Sequence, residues 1–232
     1  MDFVTDFKQQ INKNTTSCMN ELNNVFHNIK SDKNKAFYKD INKYYTGMAI
    51  WVDLLNKDVK LKENKVLLDN ILLDYCSILH CVVLGDVKLI KFLYRNIIES
   101  FARYITTELY SKEIDSIIKS ICKELNSTRR EIGLIYESQL KQIYNDACVY
   151  VHADINNMIP NLTTLINYKN NSEEVSLDTI KQDFSKVSRC MICLLIIIHK
   201  EMYINMKDNA KAYINEILTL EDRINIDKSI RG

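Results

Sequence analysis

Four glycines and a single proline, Pro160, are all that a chain of 232 residues offers here for sharp reversals of the backbone. Tight hairpins need residues that accept positive φ, and phosphate-cradling loops need several glycines in one stretch. All-β architectures and glycine-loop nucleotide folds are therefore excluded. Hydrophobic residues make up 47% of the chain, enough for the core of an ordinary globular domain. The expected fold class is all-α, a single helical bundle of about seven to nine helices.

Apolar residues recur at three- and four-residue intervals along most of the chain. The spacing predicts helices over 3–29, 34–56, 62–83, 87–109, 112–125, 129–157, 174–204 and 208–218. Leu84-Gly85-Asp86 reads as a helix stop followed by a start, because Gly85 can turn left-handed and Asp86 can accept from the free amides of the next helix. Thr128-Arg129-Arg130-Glu131 fits a capping box. Met158 to Tyr168, with Pro160, is the one break of any length, and the polar stretch Asn170 to Glu174 opens another helix. No internal repeat is visible, and the break is short for an interdomain linker. Residues 1–232 thus read as one all-α domain, in which 1–60 is either part of the bundle or a docking arm.

Charge and cysteine usage narrow the setting. Lys plus Arg number 31 against 30 Asp plus Glu, a net charge of +1, whereas general nucleic-acid binders show a basic excess or stripe. The most basic stretch, Lys30 to Lys65, reads as solvated helix surface. Seven cysteines, among them Cys76, Cys148 and Cys190, lie inside apolar periodic segments and read as reduced, buried thiols. The start, Met1 to Asp6, lacks the basic and apolar regions of a secretion signal. The longest unbroken apolar run, Cys190 to Ile198, falls well short of the roughly 20 residues that span a bilayer. A cytoplasmic protein with no membrane-spanning segment is the expectation.

Cys76 with His80, and Cys190-Met191-Ile192-Cys193 with His199, have spacings that invite a zinc reading. Both sets are embedded in apolar helices where four ligands cannot readily converge, so no metal is expected, and no cofactor either. Nucleophile elbows, phosphate loops and paired-histidine metalloprotease helices are absent.

Two helices hold the candidate functional residues. In 87–109, Ile90, Leu93, Tyr94, Ile97, Ile98, Phe101 and Ile105 form a broad apolar face, and Arg95, Glu99 and Arg103 stack at four-residue steps along another. Such a ladder is either a solvated ion-pair row, worth a few tenths of a kcal/mol per pair, or the wall of a charged cleft. In 129–157, Leu140, Ile143, Ala147, Val151 and Ile155 make the apolar stripe, with Tyr144, Cys148 and His152 lined up beside it. His152 is either a half-buried imidazole bonded to a neighbouring helix or a proton donor and phosphate contact.

An Arg95-x-x-x-Glu99 helix followed by a helix ending in Tyr150-Val151-His152-Ala153 resembles the HEPN-like helical domains of prokaryotic toxin–antitoxin and antiphage systems, over roughly residues 85–157. The resemblance implies a metal-independent ribonuclease that works as a homodimer. In such a site an Arg holds the scissile phosphate and a His moves a proton so that the 2′-hydroxyl can attack. Active members carry Arg, four to six residues, then His on one helix. Here the histidines are His27, His80, His152 and His199, and the only Arg shortly before any of them is Arg189, nine intervening residues ahead of His199. Two functional readings follow. In one, Arg95, Glu99 and His152 form a divergent catalytic set acting on RNA, with Arg103, Tyr144 and Tyr150 contacting the substrate or partner. In the other, the chain is a catalytically silent module that binds a protein, as antitoxin, sensor or phage-encoded inhibitor. A scaffold bundle without a ligand is the third.

Overall fold

A helix that is apolar on every side must be buried on every side. The run from Cys190 to Ile197 meets that condition: in the computed structural model each of these residues is at most 2% exposed. The structure describes residues 3–25, 32–57, 65–108, 113–152 and 177–232. Among them are ten helices and no strand: α1 Phe3–Val25, α2 Asp32–Lys57, α3 Lys65–Leu84, α4 Val87–Thr106, α5 Ile114–Ile118, α6 Ser127–His152, α7 Leu177–Ile198, α8 Lys200–Ile204, α9 Asp208–Ile217 and α10 Leu220–Arg231. The all-α bundle expected from the scarcity of glycine and proline is what forms.

Helix α7 is the hub. It packs against α2, α4, α6, α8 and α10, while α1 lies on α2 and α9, and α3 lies between α2 and α4. Its first half is amphipathic, and Phe184 points inward as the meeting point of four aromatic rings. Ring centroids of Phe37 and Tyr44 from α2 lie 5.7 and 6.0 Å from it, that of Tyr75 from α3 at 5.0 Å, and that of Tyr94 from α4 at 6.4 Å. Two of these tyrosines also satisfy their buried hydroxyls on α7. Tyr75 donates to the Ser188 hydroxyl at 2.8 Å and Tyr94 to the Ile180 carbonyl at 2.7 Å, so the rings fix the rotation of α7 as well as its burial.

The turn between α3 and α4 is built as its sequence reads. Gly85 has φ +67°, the Asp86 amide donates to the Cys81 carbonyl at 3.0 Å and the Gly85 amide to Val82 at 3.3 Å, the pair of bonds that closes a Schellman end. The Asp86 carboxylate accepts from the Leu89 amide at 2.9 Å and starts α4. Four local expectations are corrected. The start of α6 is capped not by Thr128 with Glu131 but by Asn126, whose side chain accepts from the Arg129 amide at 3.0 Å; Asn is among the strongest capping residues and sits two residues earlier. The helix expected over 112–125 is regular only at Ile114–Ile118, because the buried Glu137 carboxylate of α6 takes the Cys122 amide at 3.1 Å and the chain continues in tighter turns. The helix expected to run to 204 breaks at His199, where φ −103° and ψ 47° leave the α region. Residues 220–231, given no helix by periodicity, form α10.

The thiols are also more varied than expected. Cys81, Cys122, Cys190 and Cys193 are buried, but Cys148 is half-buried and Cys76 is exposed, because Tyr75 and Ile78 take the inward positions of its turn; all are free. Among the described residues α3 alone is long and apolar enough to cross a membrane by composition. One third of that span is buried, through Leu68, Ile71, Tyr75, Ile78 and neighbours. The break from Met158 to Tyr168 and the helix opening at Asn170 to Glu174 lie outside the described residues.

Two substitutions separate backbone from packing effects. A Cβ added at Gly85 meets no atom within 4 Å, so Gly85→Ala costs only the left-handed strain, about 1 kcal/mol. Phe184→Ala empties the aromatic junction and costs about 3 to 5 kcal/mol. Urea unfolding of both variants measures the difference; equal losses would contradict the packing described.

Candidate functional site

The register of α4 is locked on two sides before its outer face is considered. Lys91, with a side chain only 8% exposed, reaches Asp183 of α7 at 2.6 Å. On the other side Asn96 donates to Asp74 of α3 at 2.6 Å, while burial pushes the Asp74 carboxyl up. These contacts leave Leu89, Phe92, Arg95, Glu99 and Arg103 along the outward stripe at three- and four-residue steps.

The ladder is not uniform. Arg103 donates through Nε and Nη2 to one Glu99 oxygen at 3.1 and 3.0 Å, and through Nη1 to the Glu108 carbonyl at 3.2 Å. It thereby covers the end of α4, where Thr107 turns left-handed and a cation is favoured. Arg95 turns instead toward α6. Its guanidinium lies 5.9 Å from the centroid of the Tyr144 ring, a cation–π distance. Tyr144 is itself 4% exposed, so the arginine is seated on a fixed, buried ring.

The structure therefore places Arg95 with Tyr144 between adjoining helices, and Glu99 with Arg103 one turn along α4. The side chains of Tyr150 and His152 lie outside the described residues. The backbone puts His152 at the last position of α6, two turns past Tyr144 and about 12 Å along the axis. Among the described residues no three His, Cys, Asp or Glu side chains gather where a metal could be held.

A concave region elsewhere in the bundle has no counterpart among the residues that the sequence singles out. Lys43 and Tyr44 of α2, a stripe of α7 (Lys181, Gln182, Ser185, Lys186, Arg189) and the junction of α9 with α10 enclose a cleft of about 630 Å³. Burial pushes the Tyr44 phenol up to about 12 and the Lys43 ammonium down. Arg189 is held by Asp222 at 2.9 Å, and Lys181 by Asp40 at 3.4 Å. The available signal was the spacing of Lys181, Ser185 and Arg189 on one helix face; what it lacked was the knowledge that α2 supplies the facing lysine.

Comparisons with protein-family models, curated proteins and solved structures give no match.

The Arg95 seat has a signature in alkali. Burial pushes Tyr144 up to about 12, the Cys148 side chain adds to the rise and Arg95 works against it. In the unfolded chain a tyrosine ionises near 10, so stability is whole below about pH 10 and falls as pH rises toward about 12. Tyr144→Phe removes one such group. The variant should lose less stability than wild type between these limits, measured by urea unfolding at stepped pH; identical slopes would place Tyr144 in open solvent.

Proposed function

We propose that the chain is a HEPN-like helical domain of a defence or toxin–antitoxin system that acts on or binds RNA through the outer face of α4 and α6. The observation that carries this reading is Arg95 seated on Tyr144. An arginine of one helix is held against the helix that ends at His152, so the phosphate-holding and proton-moving roles fall on adjoining elements. Arg95 supplies a cation for a phosphate on this face, and Glu99 fixes a second arginine, Arg103, further along the same stripe. His152 is the general acid or base in this scheme.

With single-stranded RNA as substrate, Arg95→Ala should lower binding about tenfold, the scale of one charge-assisted contact. His152→Ala should abolish cleavage while leaving binding and the melting temperature close to wild type. Wild-type RNA activity in both variants would defeat the proposal.

A protein-binding reading is favoured by a separate observation. Leu89 and Phe92, on the stripe of Arg95, are 41% and 47% exposed, and Val149 of α6 is 68% exposed. Apolar and aromatic side chains beside an arginine suit a protein interface, including one between two copies of this chain. If that reading holds, Phe92→Asp abolishes self-association in light scattering, and the wild-type protein shows no activity toward RNA.

A further inference from the structure

We infer that the cleft between α2, α7 and the α9–α10 junction binds a small phosphorylated ligand of nucleotide size, at a site separate from the α4–α6 face. Its volume of about 630 Å³ lies within the range of small-ligand sites. Four cations converge on it, and they differ in what already holds them. Lys181 is paired with Asp40 and Arg189 with Asp222. Lys43 and Lys186, both half-buried, have no carboxylate within ion-pair distance among the described residues.

Lys43 sits there at a cost. Burial weakens its charge most; Asp40 and Glu216 favour the charge and more than offset Arg189 and Lys39, which act against it. A phosphate placed between Lys43 and Lys186 would give the half-buried Lys43 ammonium a direct counter-charge and accept from the Ser185 hydroxyl and the Gln182 amide, which line the same cleft. Arg189 borders the site in a fixed position, since its partner Asp222 is held by the cap of α10 through the Thr219 amide and hydroxyl at 3.1 and 2.6 Å.

Size and charge select the occupant. The carboxylates Asp178 and Glu216 also line the cleft and disfavour a long polyanion lying across it. A second pocket of about 440 Å³ shares Lys43, Lys181, Glu216 and Ile217 with the first and continues past Ile11, Asn12, Ala36 and Tyr213, with Lys39 and Asp40 at its side. That continuation offers Ile11, Ala36, Tyr213 and Ile217 as apolar contacts, and Asn12 as a polar one, to the uncharged part of a ligand whose phosphates sit on the lysines.

Calorimetric titration of the full chain with ADP and with inorganic pyrophosphate tests the site. Both should bind, ADP more tightly because it also fills the second pocket. Lys43→Gln and Lys186→Gln should each weaken ADP about tenfold, on the order of one charge-assisted contact, with an unchanged melting temperature. Arg95→Ala should leave ADP binding intact, which keeps this result independent of the α4–α6 proposal. Absence of ADP binding at millimolar concentration, or wild-type affinity in both lysine variants, would overturn the inference. So would a 5′-phosphorylated RNA oligomer that binds more tightly than ADP and loses affinity in the same lysine variants.

Discussion

Everything in this bundle is arranged around the need to bury the second half of α7 from all directions. A helix with a single apolar stripe can lie on a surface, but Cys190 to Ile197 admits no solvent face, so α2, α4, α6, α8 and α10 must close round it. The first half of α7 converts this general demand into a specific arrangement. Phe184 draws rings from three helices, and the hydroxyls of Tyr75 and Tyr94 find partners only at one rotation of the helix. Buried polar groups that must be paired thus select among the packings that burial alone would permit.

The same helix positions both concave or charged regions. Lys91 of α4 is tied to Asp183 of α7, and from that contact the stripe of Arg95, Glu99 and Arg103, at successive four-residue steps, winds away from α7 toward the outside. One turn further along α7, the face away from the core holds Lys186 and Arg189, and Arg189 joins α7 to α10 through Asp222. Asp222 serves two elements at once. Its carboxylate completes the capping box with Thr219 and receives Arg189, so the last helix begins where α7 needs a counter-charge. A buried carboxylate is costly unless paired in this way.

The sequence made some of this legible for local reasons. Gly85 and Asp86 mark a turn because left-handed φ and side-chain capping belong to the residues themselves. The apolar face of α4 is legible because helical period and burial coincide from Ile90 to Phe101; Ile105, beyond it, is only half-buried. What stayed hidden depends on partners distant in the chain. Nothing near Cys122 announces that Glu137 will take its amide, and α10 is too polar for its period to show without Arg189, 33 residues earlier, to hold its cap. In the candidate site, the four-residue spacing made Glu99 and Arg103 legible as a ladder. That Arg95 turns to Tyr144 could only come from the packing of α4 on α6. The cleft lysines were invisible for the same reason, since Lys43 and Lys186 belong to segments that meet only in the fold.

The proposal that RNA engages the α4–α6 face is tested most directly by following each arginine side chain during titration with single-stranded RNA. Nuclear magnetic resonance of the guanidinium Nε–H groups reports every arginine separately. The account predicts that Arg95 and Arg103 shift with RNA concentration while Arg189, committed to Asp222 on another face, stays in place. An unmoved Arg95 in RNA that demonstrably binds the protein would contradict it.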